Sequence, residues 1–397
     1  MPGASFHATR PLSGVPTIPV GVIGYGWIGR AHSVAMNRLR DATWPPNVLP
    51  RLVAICGRNE EKVGAAAQRW GYEGYYTDWH DLVTDPDIQA VIVGAQAYLH
   101  REPSLAALAA GKHVLCEKPL APDLPEARQM RDAARQSRTL AMTGFSYRFV
   151  PALKLMRDIV HSGALGPISL FRGHYLNESR RDPLLPAFGD APEVRGRGPL
   201  NDVGSHLIDI ARFLLGDIAA VSGKVLTHLT PRPSPTRPGE MVDVPQEDTF
   251  HGVVDFAGGT TGIIEGSAVA TGRKNWFSVE VNGVQGTVRF NLERLNELEV
   301  YLLDGAQPEA MGFRDILVTE SSHPYLRYWW PKGHVVGWEA TLVNEVHHFL
   351  SCIQGGRALA PEGATFEDGY QAALVAEALR RSSRDGCRVE VSSLERG

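Results

Sequence analysis

A glycine turn set between a strand and a helix narrows the fold of this chain more than any other feature. Val20-Gly21-Val22-Ile23 reads as an apolar strand, Gly24-Tyr25-Gly26-Trp27-Ile28-Gly29 follows at once, and a helical pattern runs on from Ile28. In that context each glycine has a physical task. Gly24 permits the tight turn, Gly26 lets a pyrophosphate approach the backbone, and Gly29 lets the helix pack closely on the strand, with phosphate at the helix N-terminus. A purely structural glycine turn is the competing reading, and the following segments weigh against it. Apolar strands are predicted over 20–24, 52–57, 90–95, 113–117 and 139–145, alternating with amphipathic helices over 28–39, 60–70, 99–110 and 124–136. Such alternation builds βαβ units, hence a doubly wound parallel sheet.

After Pro151 the texture changes. One helix, 152–162, precedes longer β-rich runs at 168–177, 220–229, 249–256, 261–270, 276–282, 286–291 and 298–303. Hairpin-length links at 257–259 and 283–285 indicate a mostly antiparallel sheet. Phe277, Val279 and Val281 alternate with Ser278, Glu280 and Asn282, so one face should be wet and the other covered, with helices over 203–215 and 339–353 as candidate cover. The expected division is a loose arm over 1–17, a dinucleotide domain over 18–146 and a second α/β domain over 147–397. Two long irregular stretches, 177–199 and 230–246, exceed ordinary connectors and suit a pocket fringe or a solvated loop. The first carries Arg180, Arg181, Arg195 and Arg197.

Composition removes several function classes. Lys and Arg number 40 against 44 Asp and Glu, a net charge of −4, so no global pull toward nucleic acid or anionic membrane exists. Cys56, Cys116, Cys352 and Cys387 stand far apart, with no CxxC pair, as isolated thiols of a reducing compartment do. No secretory signal or long apolar stretch occurs, and the expected location is cytoplasmic. Glu345-Val346-His347-His348 invites a metal, but the apolar face of its helix leaves both histidines flanking it, so no metal is expected.

The end of the second strand bears on cofactor choice, because an acidic residue there would receive a ribose 2′-hydroxyl. The chain has Cys56-Gly57-Arg58-Asn59 instead. Arg58 can fork a 2′-phosphate, which favours NADP over NAD; it can also stack on adenine or point to water, leaving either usable. Lys118, in Cys116-Glu117-Lys118-Pro119, sits at a strand's carboxyl end, where open α/β sheets place ligands, and can hold a substrate hydroxyl; many strand-end lysines are merely solvated. Asp202 and His206 stand four apart at a helix start. They suit a proton acceptor and its partner, or a helix cap with a histidine packed beneath.

Taken together, the glycine turn, Glu117-Lys118-Pro119, Tyr147-Arg148-Phe149 and the Asp202/His206 helix resemble the glucose–fructose oxidoreductase/inositol dehydrogenase (Gfo/Idh/MocA) family, from about Ile18 to Val391. Further similarity, at Gly26 to His32, Trp44-Pro45, Thr77-Asp78-Trp79, the segment 172–176, Gly272-Arg273-Lys274-Asn275, His323-Pro324-Tyr325 and the segment 366–371, points to the branch of levoglucosan and glycoside 3-dehydrogenases. The resemblance implies a Rossmann domain joined to an α/β domain whose open sheet serves oligomer contacts, hence a homodimer or homotetramer. It also implies NAD(P)-dependent oxidation of a secondary hydroxyl, at C3, of a sugar, glycoside or anhydrosugar. Lys118, Asp202 and His206 would be the catalytic set, with His206 the proton acceptor. Gly24, Gly26, Trp27, Ile28, Gly29, Gly57, Arg58, Gln96, His100, Glu117, Lys118 and Arg148 would hold the cofactor. Tyr147 and Asn177 would meet the substrate with Lys118, Asp202 and His206, and Tyr325 and Trp338 would stack on the sugar or belong to a subunit interface.

Two departures stand out. Ala95-Gln96 replaces a common Thr-Pro, and Gly57 replaces a common acidic residue. His100 either flanks the nicotinamide ribose or starts its helix, and Asn177, Glu265, Arg273 and Asn275 suit sugar hydroxyls or a wet sheet face equally. Rival readings are a redox-neutral glycosidase or lyase that oxidises C3 transiently, and a non-catalytic nucleotide-binding regulator.

Overall fold

The computed structural model describes residues 14–43, 45–187, 196, 198–244, 246–303 and 308–395. Most of the expected N-terminal arm, Trp44, Arg195 and Arg197 lie outside them. Strands β1 (Thr17–Ile23), β2 (Leu49–Cys56), β3 (Gly74–Tyr76), β4 (Ala90–Val93), β5 (His113–Glu117) and β6 (Ala141–Gly144) form one parallel sheet in the order β3-β2-β1-β4-β5-β6. Helices α1 (Trp27–Ala42), α2 (Glu60–Trp70), α3 (Trp79–Thr84), α4 (Arg101–Ala109) and α5 (Leu124–Gln136) link them. The strand order reverses between β1 and β4, which opens a crevice at their carboxyl ends. β3 and α3 escape the sequence pattern because three and six residues are too few to show a period. Asn59 and Asp123 cap α2 and α5, whereas no side chain caps α1 and its first turn holds no acidic residue.

The rest of the chain builds a nine-stranded sheet. Its members are β7 (Ile168–Leu176), β8 (Ile218–Leu226), β11 (Thr249–Phe256), β12 (Thr261–Ser267), β13 (Trp276–Gly283), β14 (Gly286–Asn291), β15 (Glu297–Leu302), β16 (Arg314–Leu317) and β17 (Val389–Glu390), in the order β16-β15-β14-β13-β7-β12-β11-β8-β17. Among its described strands, only β7 and β12 pair in parallel. A small hairpin, β9 (Arg232–Pro233) with β10 (Met241–Val242), occupies the second irregular stretch. Phe277, Val279 and Val281 are buried as the alternation requires. Helices α6 (Pro151–His161), α8 (Gly204–Leu215) and α10 (Phe366–Asp385) cover this inner face.

The expected cover is half right. α8 lies on the sheet, but α9 (Glu339–Gly355) leaves it and packs on α1. Its Leu342, Val343, Val346, Phe349 and Leu350 share a core with Val20, Val22, Met36, Leu39, Ile92 and Leu115, so a helix from near the end of the chain seals one face of the first sheet. α10 takes the expected place over β8, starting from a capping box in which Thr365 and Asp368 satisfy each other's backbone donors.

Candidate active site

The crevice over β1 and β4 is a cleft of about 790 Å³, lined by Gly24, Gly26, Trp27 and Ile28, by Gly57 and Arg58, by Gln96, and by Lys118 and Asp202. The glycines divide their tasks as the turn demands. Gly24 has φ +103°, and a Cβ there would lie 2.5 Å from the Gly94 carbonyl oxygen. A Cβ on Gly29 would lie 1.9 Å from the Gly24 carbonyl oxygen, so helix and turn could not close. At Gly26 a Cβ would meet nothing within 4 Å, because that position faces the open cleft. With α1 uncapped above it, the turn fits the pyrophosphate of a dinucleotide. Arg58 is exposed at the far end and forms no ion pair with any described residue. Tyr25, Thr77, Trp79, Tyr98 and Leu99 also line the cleft. Reasoning from periodicity does not single them out because they sit in turns or at the starts of short helices; Thr77 and Trp79 carry a prior signal through the Thr77-Asp78-Trp79 similarity.

At the inner end of the cleft, β5 delivers Lys118 through a cis Lys118–Pro119 bond. Its Nζ donates to the Asp202 backbone oxygen at 2.9 Å and to Asp202 Oδ1 at 3.1 Å. Burial works against the ammonium, but Asp202 and Glu117 outweigh it and hold the Lys118 pKa above the usual lysine value. Asp202 does not share a helix with His206. It ends a four-residue helix, α7 (Pro199–Asp202), and α8 begins after Val203, so Asp202 turns to Lys118 instead of capping α8. His206, in the first turn of α8, is buried with its ring stacked on Tyr147 at 4.2 Å and 17°. Burial, and then the Lys118 charge, push its imidazole well below the ordinary value. The Tyr147 hydroxyl lies 2.7 Å from that of Tyr175, which donates to Asn275 at 2.8 Å. This aromatic network was not read from the sequence, since Tyr175 and Asn275 meet only across β7 and β13.

Several predicted site residues land elsewhere. Arg148 is buried, forked onto Asp209 at 2.6 and 2.9 Å and reaching Asp368 at 3.1 Å; two carboxylates occupy its guanidinium, and it does not line the cleft. Glu117 also lies beneath the cleft floor, accepting the Lys118 N–H at 3.1 Å and meeting His32 at 2.7 Å. His100 does not line the cleft; it stands at the N-cap position of α4, as the second of its two readings expects. Its ring nitrogens face the carbonyls of Pro119 at 3.0 Å and Ala95 at 3.1 Å, so it ties the turn after β4 to the turn after β5. Tyr325 packs on Phe149, away from the cleft, with a ring separation of 5.9 Å. Asn177 accepts from Ser179 and lines a smaller neighbouring cavity of about 230 Å³ that shares Asp202 and Gly198 with the cleft. Trp338 reaches the site through Trp27: the two rings lie 5.5 Å apart, and Trp27 lines the cleft. Arg180 donates to Pro186 and Arg181 pairs with Glu178. Glu265 meets His174, and Arg273 lies over Trp276.

Comparison with known proteins places the chain in a family. Residues 18–145 match the oxidoreductase family model for an NAD-binding Rossmann fold, and residues 153–289 match the GFO/IDH/MocA C-terminal domain. Levoglucosan dehydrogenase of Pseudarthrobacter phenanthrenivorans is 35% identical over 390 residues, covering 94% of this chain and 98% of its own. A solved levoglucosan dehydrogenase, in complex with NADH and levoglucosan, superposes with a TM-score of 0.89 over 94% of this chain and 99% of that one, at 35% identity. Glucose-6-phosphate 3-dehydrogenase of Bacillus subtilis is 31% identical over 196 residues, 49% of this chain and 53% of its own length. With its parallel dinucleotide sheet, its Lys118 turn and its mixed C-terminal sheet, the chain belongs to the Gfo/Idh/MocA oxidoreductase family.

Proposed function

We propose that this protein oxidises a secondary hydroxyl, at C3, of a sugar, glycoside or anhydrosugar such as levoglucosan, with an NAD(P) dinucleotide as acceptor. The observation that carries the reading is the placement of Lys118: a cationic amine held by Asp202 at the inner end of the dinucleotide cleft, beside a buried neutral imidazole. The names of the relatives support the substrate class, and the 3-dehydrogenase supports the position.

When bound, the nicotinamide supplies the electron acceptor. The chain's own residues handle the proton. Lys118 donates a hydrogen bond to the reacting oxygen and favours its alkoxide. His206, neutral because it is buried beside that ammonium, accepts the proton. Asp202 fixes the Lys118 amine through two contacts and offers the substrate a carboxylate. Tyr147 holds the plane of the imidazole by stacking. Gly57 and Arg58 support a preference for the 2′-phosphorylated cofactor, since the turn after β2 carries no carboxylate and a guanidinium that forms no ion pair with any described residue. In-register Val253 and Ile263, 47% and 45% exposed on β11 and β12, support a homodimer or homotetramer through the outer face of the large sheet. The four unpaired cysteines support a cytoplasmic location.

The test follows reduced-nicotinamide absorbance with levoglucosan and a glucoside panel, supplying NAD and NADP in parallel. Turnover faster with NADP, reversed by Arg58→Ala, is expected. Dinucleotide binding without sugar-dependent reduction would overturn the reading in favour of a redox-neutral enzyme or a regulator.

A further inference from the structure

Beneath the Lys118 turn lies a buried group of ionisable side chains that the steps above do not use. His32 from α1, Glu117 at the end of β5 and Glu345 from α9 are all buried and bring one ligand atom each within 4.8 Å of the others. Glu117 is engaged on both sides: Oε1 meets His32 Nε2 at 2.7 Å, and Oε2 accepts the Lys118 N–H at 3.1 Å. Glu345 is the opposite case. Among the described residues both its oxygens are sealed from solvent without a hydrogen-bond partner, and His32 Nδ1 is sealed and unpartnered as well. Arg148, from the turn at 146–149, and Asp209, from α8, are the other charged groups on this side. The Arg148 guanidinium is taken by Asp209 and by Asp368 of α10, so no cation among the described residues is directed at Glu345.

An ionised Glu345 would therefore be a buried charge with no donor, facing a second carboxylate, which is among the costliest arrangements a protein interior can hold. A neutral carboxyl removes the charge and supplies an O–H toward the unpartnered atoms around it. We propose that Glu345 keeps its carboxyl protonated in the folded protein and, through Glu117, is a positioning residue for Lys118. Burial, then the charges of Glu117 and Asp209, all drive the Glu345 proton affinity the same way, well above the ordinary glutamate value. With Glu345 neutral, its repulsion with Glu117 is removed, and Glu117 keeps both His32 and the Lys118 N–H. A helix of the second domain thus holds the catalytic turn of the first. A metal ion is the competing occupant, disfavoured because His32 Nε2 and both Glu117 oxygens already have partners.

Only the link to Lys118 rests on the proposed function; the proton on Glu345 is tested without turnover. The full-length protein is compared with Glu345→Gln, an isostere of the neutral acid. Folded Glu345 holds a proton that the unfolded chain releases above about pH 4.3, so stability is lost as pH rises. The wild type should lose ground to E345Q by up to about tenfold in unfolding equilibrium constant per pH unit. An infrared difference spectrum near neutral pH should show a protonated carboxyl band present in wild type and missing in E345Q. The alkaline limb of kcat should move to higher pH in E345Q while the KM for dinucleotide stays put. A stability difference independent of pH, a missing carboxyl band, or one equivalent of divalent metal retained after chelation overturns the proton. An identical alkaline limb in the two proteins overturns the positioning role. Should no sugar be oxidised, the functional reading falls, while the stability and infrared results still decide the state of Glu345.

Discussion

Lys118 and His206 are neighbours treated oppositely by their surroundings. Carboxylates keep the amine charged, and burial beside that amine keeps the imidazole neutral. Removing the donor in Lys118→Ala should lower kcat by about 10²–10³ while leaving dinucleotide affinity, read by fluorescence titration, within about tenfold. His206 must be neutral to accept a proton, and its acid form appears only when pH falls through a value well below 6.5. The kcat/KM profile should therefore stay flat from neutral pH down past the ordinary imidazole range and fall only beyond it; a midpoint at 6.5 would show that another group is titrating. The residues proposed to react stand out in the sequence because each lies in a local motif at a strand or helix end. Their partners are not. Asp202 meets Lys118 from 84 residues away and Arg148 meets Asp209 from 61, so the apparent Asp202/His206 spacing and the apparent cofactor arginine both dissolve once the chain is folded.

Among the elements, the strand–turn–helix from β1 to α1 separates folding from binding within six residues. Gly29 is closed in by backbone, with a Cβ meeting the Gly24 oxygen at 1.9 Å, whereas Gly26 opens on the cleft. Gly29→Ala should cost about 1–3 kcal/mol of stability in denaturant unfolding. Gly26→Val should fold with little change in midpoint yet weaken dinucleotide binding at least about tenfold in calorimetry, since its side chain occupies the phosphate's place. Equal effects of the two changes on unfolding would contradict this division. The βαβ alternation reads easily because each crossover carries its own period. α9 reads correctly as an amphipathic helix, but its destination does not, because an apolar stripe says that a helix is covered and not by which domain.

For the molecule as a whole, buried histidines dominate the acid side. Burial lowers His100, His113, His206 and His348, and brings His347 to about 4, with His348, Arg327 and Arg357 adding to the effect. Such groups contribute stability that is complete above the unfolded value of about 6.5 and is lost as pH falls toward the folded values. The melting temperature should drop steadily below about pH 6; a flat profile to pH 4.5 would contradict it. If the outer sheet face is a subunit contact, Val253→Asp should convert the oligomer to monomer in sedimentation without a large loss of secondary structure. The packing of α9 on α1 also has a temporal side. Arg38 and its partner Glu339, on those two helices, are 301 residues apart. At about 5–20 residues per second, a ribosome releases α1 roughly 15–60 s before the helix that covers it. During that interval the apolar face around Met36 and Leu39 is bare, so the nascent chain offers chaperones a client surface that the finished enzyme lacks.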